Sequence, residues 1–427
     1  MATFSVTCRC GERYHSDDRQ VGRQLSCRRC GHALTIARPP EFLRVPVRGA
    51  SGAAKRRHRK GLRHRLGRLA GSIGDAKRLP TWQEASLAAV RVVREPRRAI
   101  DLAAWLYLFA TVVIALLMWG EGDHWWPATV LLFMGRWVFL LPLALLLPLA
   151  LVWNRRLLLL LAMGSVIVLG PVMGGRVGWR RVLPLPAGIP LRVVTFNADG
   201  GAGLAPLLPF MTEEWQADVV LLQECGEALA AASERVPGWH WHHAEGLCLV
   251  TRLPILSSDP MDRSALERIK QAQGLGIGGA GYVVRYSLQS PRGPISVTNL
   301  HLETPRKGFE GFMAGDVRRL RENTVLRGIE SDLARRWVDA GNGPTLVGGD
   351  FNTPTESRIF REHWGDLDDA FSRVGTGFGM TKFNGWIRAR IDHVLTDDSW
   401  RATRVAEGRD LGSDHRPLIV DLVLTTH

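Results

Sequence analysis

Cysteine is scarce and unevenly placed in this chain. There are six in 427 residues, with Cys8, Cys10, Cys27 and Cys30 in the first thirty positions and Cys225 and Cys248 far away. A disulfide framework is therefore not the basis of the fold, whereas 46% hydrophobic content can bury a large core and a chain of this length can hold two or three domains. No short apolar core with a small-residue cleavage site opens the chain, so a cleaved secretory leader is not expected. Positive charge is missing from the second half: residues 191–427 carry 26 Lys+Arg against 31 Asp+Glu, or −5. That excludes a basic stripe there as the means of gripping a polyanion. The overall +14 comes from an arm, since residues 44–98 carry 16 Lys+Arg against 3 Asp+Glu, or +13.

What is present begins with Cys8-Arg9-Cys10-Gly11 and Cys27-Arg28-Arg29-Cys30-Gly31. Two close Cys pairs, each followed by Gly, have the spacing of a zinc ribbon over residues 1–38, in which four thiolates close a tetrahedron around structural Zn2+. Phe4–Val6 and Ala33–Ile36 are expected to supply short strands. The first pair has one intervening residue where two are usual, and His15 or His32 is the alternative fourth ligand. A disulfide pair or free thiols are the competing readings, and the sequence names no protein partner for this module.

Residues 39–99 form a basic arm rich in Pro, Gly, Ala and Arg. Its run Lys55-Arg56-Arg57-His58-Arg59-Lys60 suits nucleic acid or an anionic lipid surface. The next stretch favours lipid. Residues 100–175 hold three apolar runs, Leu102–Trp119, Thr129–Trp153 and Leu157–Met173, separated by an acidic loop with Trp125 and Trp126 and by the basic turn Asn154-Arg155-Arg156. These are read as three transmembrane helices, with Arg136 snorkelling to the interface from the second. The excess of Lys and Arg before the first run and between the second and third puts both segments in the cytoplasm. The part after a linker at 176–190 then lies outside, as in a protein of the bacterial inner membrane, with Cys225 and Cys248 free to pair if they are close.

Residues 191–427 alternate strand-like and helix-like segments, which predicts two packed sheets flanked by helices. Asn197, Glu224, His301, Asp350, Asn352, Asp392, Asp414 and His415 fall at the ends of six of the strands. A lone Asn or Asp at such a place is usually a turn or cap residue. Eight together are the oxygen and imidazole groups that Mg2+ and a reacting phosphate ester require. Val317–Val338 reads as an amphipathic helix with Arg and Glu on its outer face.

Thr195-Phe196-Asn197, Gln223-Glu224, Asn299-Leu300-His301-Leu302, Gly349-Asp350-Phe351-Asn352, Arg390-Ile391-Asp392-His393 and Ser413-Asp414-His415 resemble, in order and spacing, the motifs of the endonuclease/exonuclease/phosphatase (DNase I-like) superfamily. The plan of spans followed by this domain is similar to membrane-anchored bacterial members. The resemblance implies a four-layer α/β sandwich and a metal-dependent hydrolase of phosphate esters. It implies Mg2+ (or Mn2+) on Glu224, Asn197 and Asp414, and Asp350 as the group that orients or deprotonates water. Asn352 and His301 would lie on the phosphate, and His415 would be held by Asp392. The expected substrate is a phosphodiester of nucleic acid or of a phospholipid headgroup. A phosphomonoester, and a non-catalytic scaffold or sensor at the membrane, are the alternatives. Arg306, Lys307, Arg388 and Arg390 are candidate cations for the substrate.

Overall fold

A computed structural model describes residues 3–7, 13–17, 23–28, 30, 33–35, 96–201, 208–276, 278, 281–385 and 387–425. These form two compact units, residues 1–106 with 146–158, and residues 107–145 with 159–427. In the first, β1 (Thr3–Thr7) pairs antiparallel with β2 (Arg13–Asp17), and β3 (Gln24–Ser26) with β4 (Ala33–Thr35). Cys27 is buried and Cys30 exposed in the connection between β3 and β4, while Cys8 and Cys10 of the expected zinc site lie outside the described residues. The same unit ties the start of helix α1 (Pro96–Glu121) to the chain that leaves helix α3 (Leu141–Trp153). There Asn154 Nδ2 donates to Asp101 Oδ1 at 2.9 Å and Arg97 Nε donates to the Trp153 carbonyl at 3.0 Å.

Among the described residues two helical stretches, Arg97–Glu121 and Arg136–Trp153, are long and apolar enough to cross a membrane, and a third at Leu157–Val172 is shorter. The expected second span is broken into α2 (Trp126–Phe133), a 3-10 turn at Arg136–Leu140 and α3. Pro127 starts α2 where its missing N–H costs nothing. Arg136 corrects the snorkelling expectation. It is buried, its guanidinium donating to the Leu132 and Val172 carbonyls at 3.0 and 2.9 Å and to Glu356 Oε2 at 3.0 Å. A buried guanidinium needs a carboxylate, and one is supplied from the far end of the sequence.

The rest of the second unit is a two-sheet sandwich. In chain order its strands are β5 (Gly188–Asn197), β6 (Val219–Gln223), β7 (His240–Ala244), β8 (Leu247–Thr251), β9 (Ile255–Pro260), β10 (Tyr282–Ser290), β11 (Gly293–His301), β12 (Thr345–Asp350), β13 (Asp368–Asp369), β14 (Lys382–Asn384), β15 (Ile387–Ala389), β16 (Asp392–Thr396), β17 (Trp400–Glu407) and β18 (Leu418–Thr425). One six-stranded sheet runs β13-β16-β12-β11-β10-β9, the other β17-β18-β5-β6-β8-β7, and β14-β15 is a separate hairpin. Leu191, Val193, Val219 and Leu221 of one sheet pack against Val284, Tyr286, Val297 and Leu346 of the other, all buried. Strands β6, β8 and β16 are buried on consecutive residues because they lie between a facing sheet and outer helices, whereas β10 alternates buried and half-buried residues. The long outer helix is α4 (Val317–Asp339). It corrects the amphipathic reading, because Arg327 and Glu330 of its expected polar face are buried.

Candidate active site

The topology brings the six motif ends to one edge. Strands β5 and β6 are parallel, as are β11 and β12, so their C-terminal ends point the same way. Strands β16 and β18 run antiparallel to β12 and β5, so their starts fall at that edge, with Asp350 opposite Asp392 and Leu418 opposite Thr195. Gly349 is needed at this point. Its φ is 151°, and a Cβ there would meet the Leu300 carbonyl oxygen at 1.9 Å. Glu224 and Asn352 hold φ of 48° and 50°, a left-handed backbone that residues other than glycine seldom take and that clusters at functional sites.

All eight expected residues of this site come together. Asn197 Nδ2 donates to Glu224 Oε1 at 3.1 Å and to Asp350 Oδ2 at 3.0 Å. His301 Nε2 lies 3.7 Å from each of those carboxylates. His415 Nδ1 donates to Asp392 Oδ2 at 2.8 Å, which leaves Nε2 3.6 Å from Asp350 Oδ2 and 3.7 Å from Asp414 Oδ1. The Asn352 amide N–H donates to Asp350 Oδ1 at 2.8 Å, and its side chain donates to the Leu302 carbonyl at 2.8 Å. Ser413 Oγ donates to the Asn197 carbonyl at 2.8 Å and accepts from the His415 N–H at 3.0 Å, closing the turn that presents Asp414 and His415.

Electrostatics separate the buried groups. Burial pushes the Asp350 carboxyl up, and the neighbouring Asp392 adds to that, although His415 and His301 pull the other way. Burial also opposes ionisation of Asp392, but His415 outweighs it and holds the carboxyl below its ordinary range. For His415 burial disfavours the imidazolium, yet Asp392 and Asp350 prevail and its pKa is pushed up to about 9. One carboxylate suited to taking a proton thus faces a histidine that is charged at neutral pH.

Asp350, Asp392 and His415 place ligand atoms within 4.8 Å of one another. The short Nδ1–Oδ2 bond already engages the two on the inner side, so a cation fits better on the open side. There Glu224 is 43% exposed and Asp414 41%, with the Asn197 amide beside them. Carboxylate and amide oxygens suit a hard divalent ion. Asp392 Oδ1 is buried without a hydrogen-bond partner, and on the open side the Lys382 ammonium donates to Asp414 Oδ2, where a bound cation would take its place.

Several neighbours escaped sequence reasoning. Asn299 donates to the Leu222 and Cys248 carbonyls at 3.0 Å each and accepts from Gln223 Nε2 at 2.7 Å, joining the two sheets beneath the site. Thr381 Oγ1 accepts from the Asp392 N–H at 3.1 Å. Both Asn299 and Gln223 sit in quoted motifs, so a signal existed for them; Thr381 and Lys382 have none. Among the candidate substrate cations, Arg390 is corrected. It is buried, donating to Thr355 Oγ1 at 2.8 Å and lying over the Phe371 ring. Lys307 lies 3.9 Å from Glu303 and Arg306 3.9 Å from Glu310, while Arg388 is exposed on β15. Cys225 and Cys248 form a disulfide across 23 residues, directly after Glu224.

A two-sheet sandwich with a buried Asp–His pair, a carboxylate shelf and an acid–amide pair at one edge defines a metal-assisted phosphoester hydrolase. The chain matches the Endonuclease/Exonuclease/phosphatase family over residues 194–415 and belongs to it; it is a hydrolase of phosphate-ester bonds, in a family that uses a divalent metal ion. Similar solved structures include humanized D. rerio TDP2, 14% identical, covering 55% of this chain and 98% of that one with a TM-score of 0.42. An endonuclease/exonuclease/phosphatase from Beutenbergia cavernae is 18% identical over 55% of this chain and 72% of that one, TM-score 0.40. The 3' phosphatase NExo from Neisseria is 16% identical over 54% and 98%, TM-score 0.40. No curated protein matches the chain.

Proposed function

We propose that this chain is a membrane-anchored, Mg2+-dependent phosphodiesterase, with Mn2+ as the substitute ion, that hydrolyses nucleic acid or phospholipid headgroup diesters by attack of water. The observation that carries this reading is the meeting of Asn197, Glu224, His301, Asp350, Asn352, Asp392, Asp414 and His415 within a few ångströms. Glu224, Asn197 and Asp414 would hold the divalent ion, which when bound would supply neutralising charge to the phosphate. Asp350 Oδ2 orients the attacking water and accepts its proton. The His415 imidazolium, held at Nδ1 by Asp392, donates from Nε2 to the charge that develops on phosphate, and His301 and Asn352 hold the remaining oxygens.

Membrane anchoring is supported by what the apolar helices leave uncovered. Trp105, Phe109, Leu116, Leu145, Val152, Leu159 and Val166 are all exposed, and an apolar surface of that extent calls for lipid. Placement of the catalytic domain outside the cytoplasm is supported by the disulfide, which persists in oxidising compartments. It is also supported by the Lys/Arg bias and by the packing of residues 119–136 on the same unit as the active site. In residues 1–38 the proposal includes a structural zinc on Cys8, Cys10, Cys27 and Cys30.

The test uses full-length protein in detergent with bis(p-nitrophenyl) phosphate and p-nitrophenyl phosphate side by side. The expected result is Mg2+-dependent diester cleavage abolished by EDTA, with one zinc per chain in the freshly reduced sample. Preference for the monoester reverses the substrate assignment, and absence of zinc removes the ribbon.

A further inference from the structure

The segment between α1 and α3 meets the active-site unit through two buried ion pairs, one from the turn after α1 and one from the 3-10 turn before α3. Asp123, in the acidic turn after α1, lies 3.1 Å from Arg327 Nη1, and the two side chains are 1% and 2% exposed. Arg327 Nη2 then donates to Thr353 Oγ1 at 2.7 Å and to the Asn352 carbonyl at 3.2 Å. The other Asp123 oxygen accepts from Ser357 Oγ, the N-cap of the helix that follows the Asn352 loop. Beside this pair, Arg136 holds Glu356 as described, and the Phe133 ring lies under the Arg327 guanidinium at 4.9 Å.

Asn352 sits at φ 50°. A left-handed backbone at a residue other than glycine is strained and persists only where its surroundings over-determine it. Its N–H is fixed by Asp350, its side chain by Leu302 and its carbonyl by Arg327, so one of the three restraints comes from α4. Arg327 cannot stay buried in that position without a counter-charge, and Asp123 provides one. Asp123 itself takes φ 62°, so the turn is shaped to offer its carboxylate inward instead of to water.

We propose that Asp123 and Arg327 are positioning residues of the active site: the loop between the apolar helices fixes, through Arg327, the backbone on which Asn352 meets the phosphate. The segment that anchors the protein is thereby part of the catalytic apparatus. This rests on the phosphodiesterase reading only for its kinetic arm.

In full-length protein with Mg2+ and bis(p-nitrophenyl) phosphate, Asp123→Ala lowers kcat about ten- to a hundredfold with KM changed less than about twofold, as expected when a group is misplaced by about an ångström. Arg327→Met does the same, and the double variant is no slower than either single one, because the pair acts as a unit. Trp126→Ala removes a ring contact with Phe312 at the same junction; it lowers Tm and leaves kcat within about twofold. Hydrogen exchange at amides 350–357, measured without substrate, rises in Asp123→Ala and in Arg327→Lys but not in Trp126→Ala. Wild-type kcat in Asp123→Ala, additive losses in the double variant, or unchanged exchange overturns the proposal. Wild-type protein inactive on the diester, with exchange raised as stated, upholds the positioning and overturns the phosphodiesterase reading instead.

Discussion

A carboxyl group buried in this protein is either given a cation or kept neutral, and the choice at each residue follows from its neighbours. Glu356 has Arg136 at 3.0 Å, and Asp392 has His415 at 2.8 Å. Among the described residues Glu330 has no such partner at bonding distance; it accepts the N–H groups of Gly281 and Glu303 at 3.1 and 2.8 Å. Burial and the nearby Glu303 carboxylate push its pKa from 4.5 to about 7, against a weaker pull from Arg263. Between those values the folded protein keeps a proton that the unfolded chain has released. Stability therefore falls as pH rises through that window, by on the order of 3 kcal/mol. Between pH 5 and pH 8 Glu330→Gln should lose less stability than the wild type, the loss that remains coming from His415, whose raised pKa falls in the same range. Equal losses in both would contradict the assignment. The sequence hid this residue, as it hid Arg327, because charged side chains on a helix are ordinarily its solvated face. Nothing local shows that loops on two sides cover them.

Strand ends were the legible elements. Each motif couples a polar residue to the apolar run that carries it, and such a signal is contained within ten residues. Its neighbours in space needed no further information, since parallel and antiparallel pairing brings all six ends to one edge. Contacts between distant segments left no comparable trace: Asp123 and Arg327 are 204 positions apart and Arg136 and Glu356 are 220 apart. The Cys225–Cys248 bond belongs to the same class, although both strands were recognised. It ties the end of β6, directly after the left-handed Glu224, to β8. Closing a loop of that length is worth about 3 kcal/mol in the chain-entropy account. Cys225→Ser should accordingly lower Tm by several degrees, and a Tm equal to wild type would show that the bond contributes nothing.

At the scale of the molecule, the apolar helices and the catalytic sandwich are not separable parts. Residues 107–145 and 159–172 belong to the same compact unit as the sandwich. A domain cut free at residue 176 would lose Asp123 from Arg327 and Arg136 from Glu356, which would keep the more distant Arg390 at 4.0 Å, and breaking a buried pair costs about 3–5 kcal/mol. Assays consequently belong on the full-length protein.

In the proposed function the Glu224 shelf and the His415–Asp392 pair are the centre of hydrolysis. The measurement is the Mg2+-dependent kcat of Glu224→Gln and His415→Ala on bis(p-nitrophenyl) phosphate, in full-length protein whose thermal unfolding matches the wild type. Each variant is predicted to lose at least about a hundredfold in turnover. Near-wild-type turnover in either folded variant would contradict the central claim.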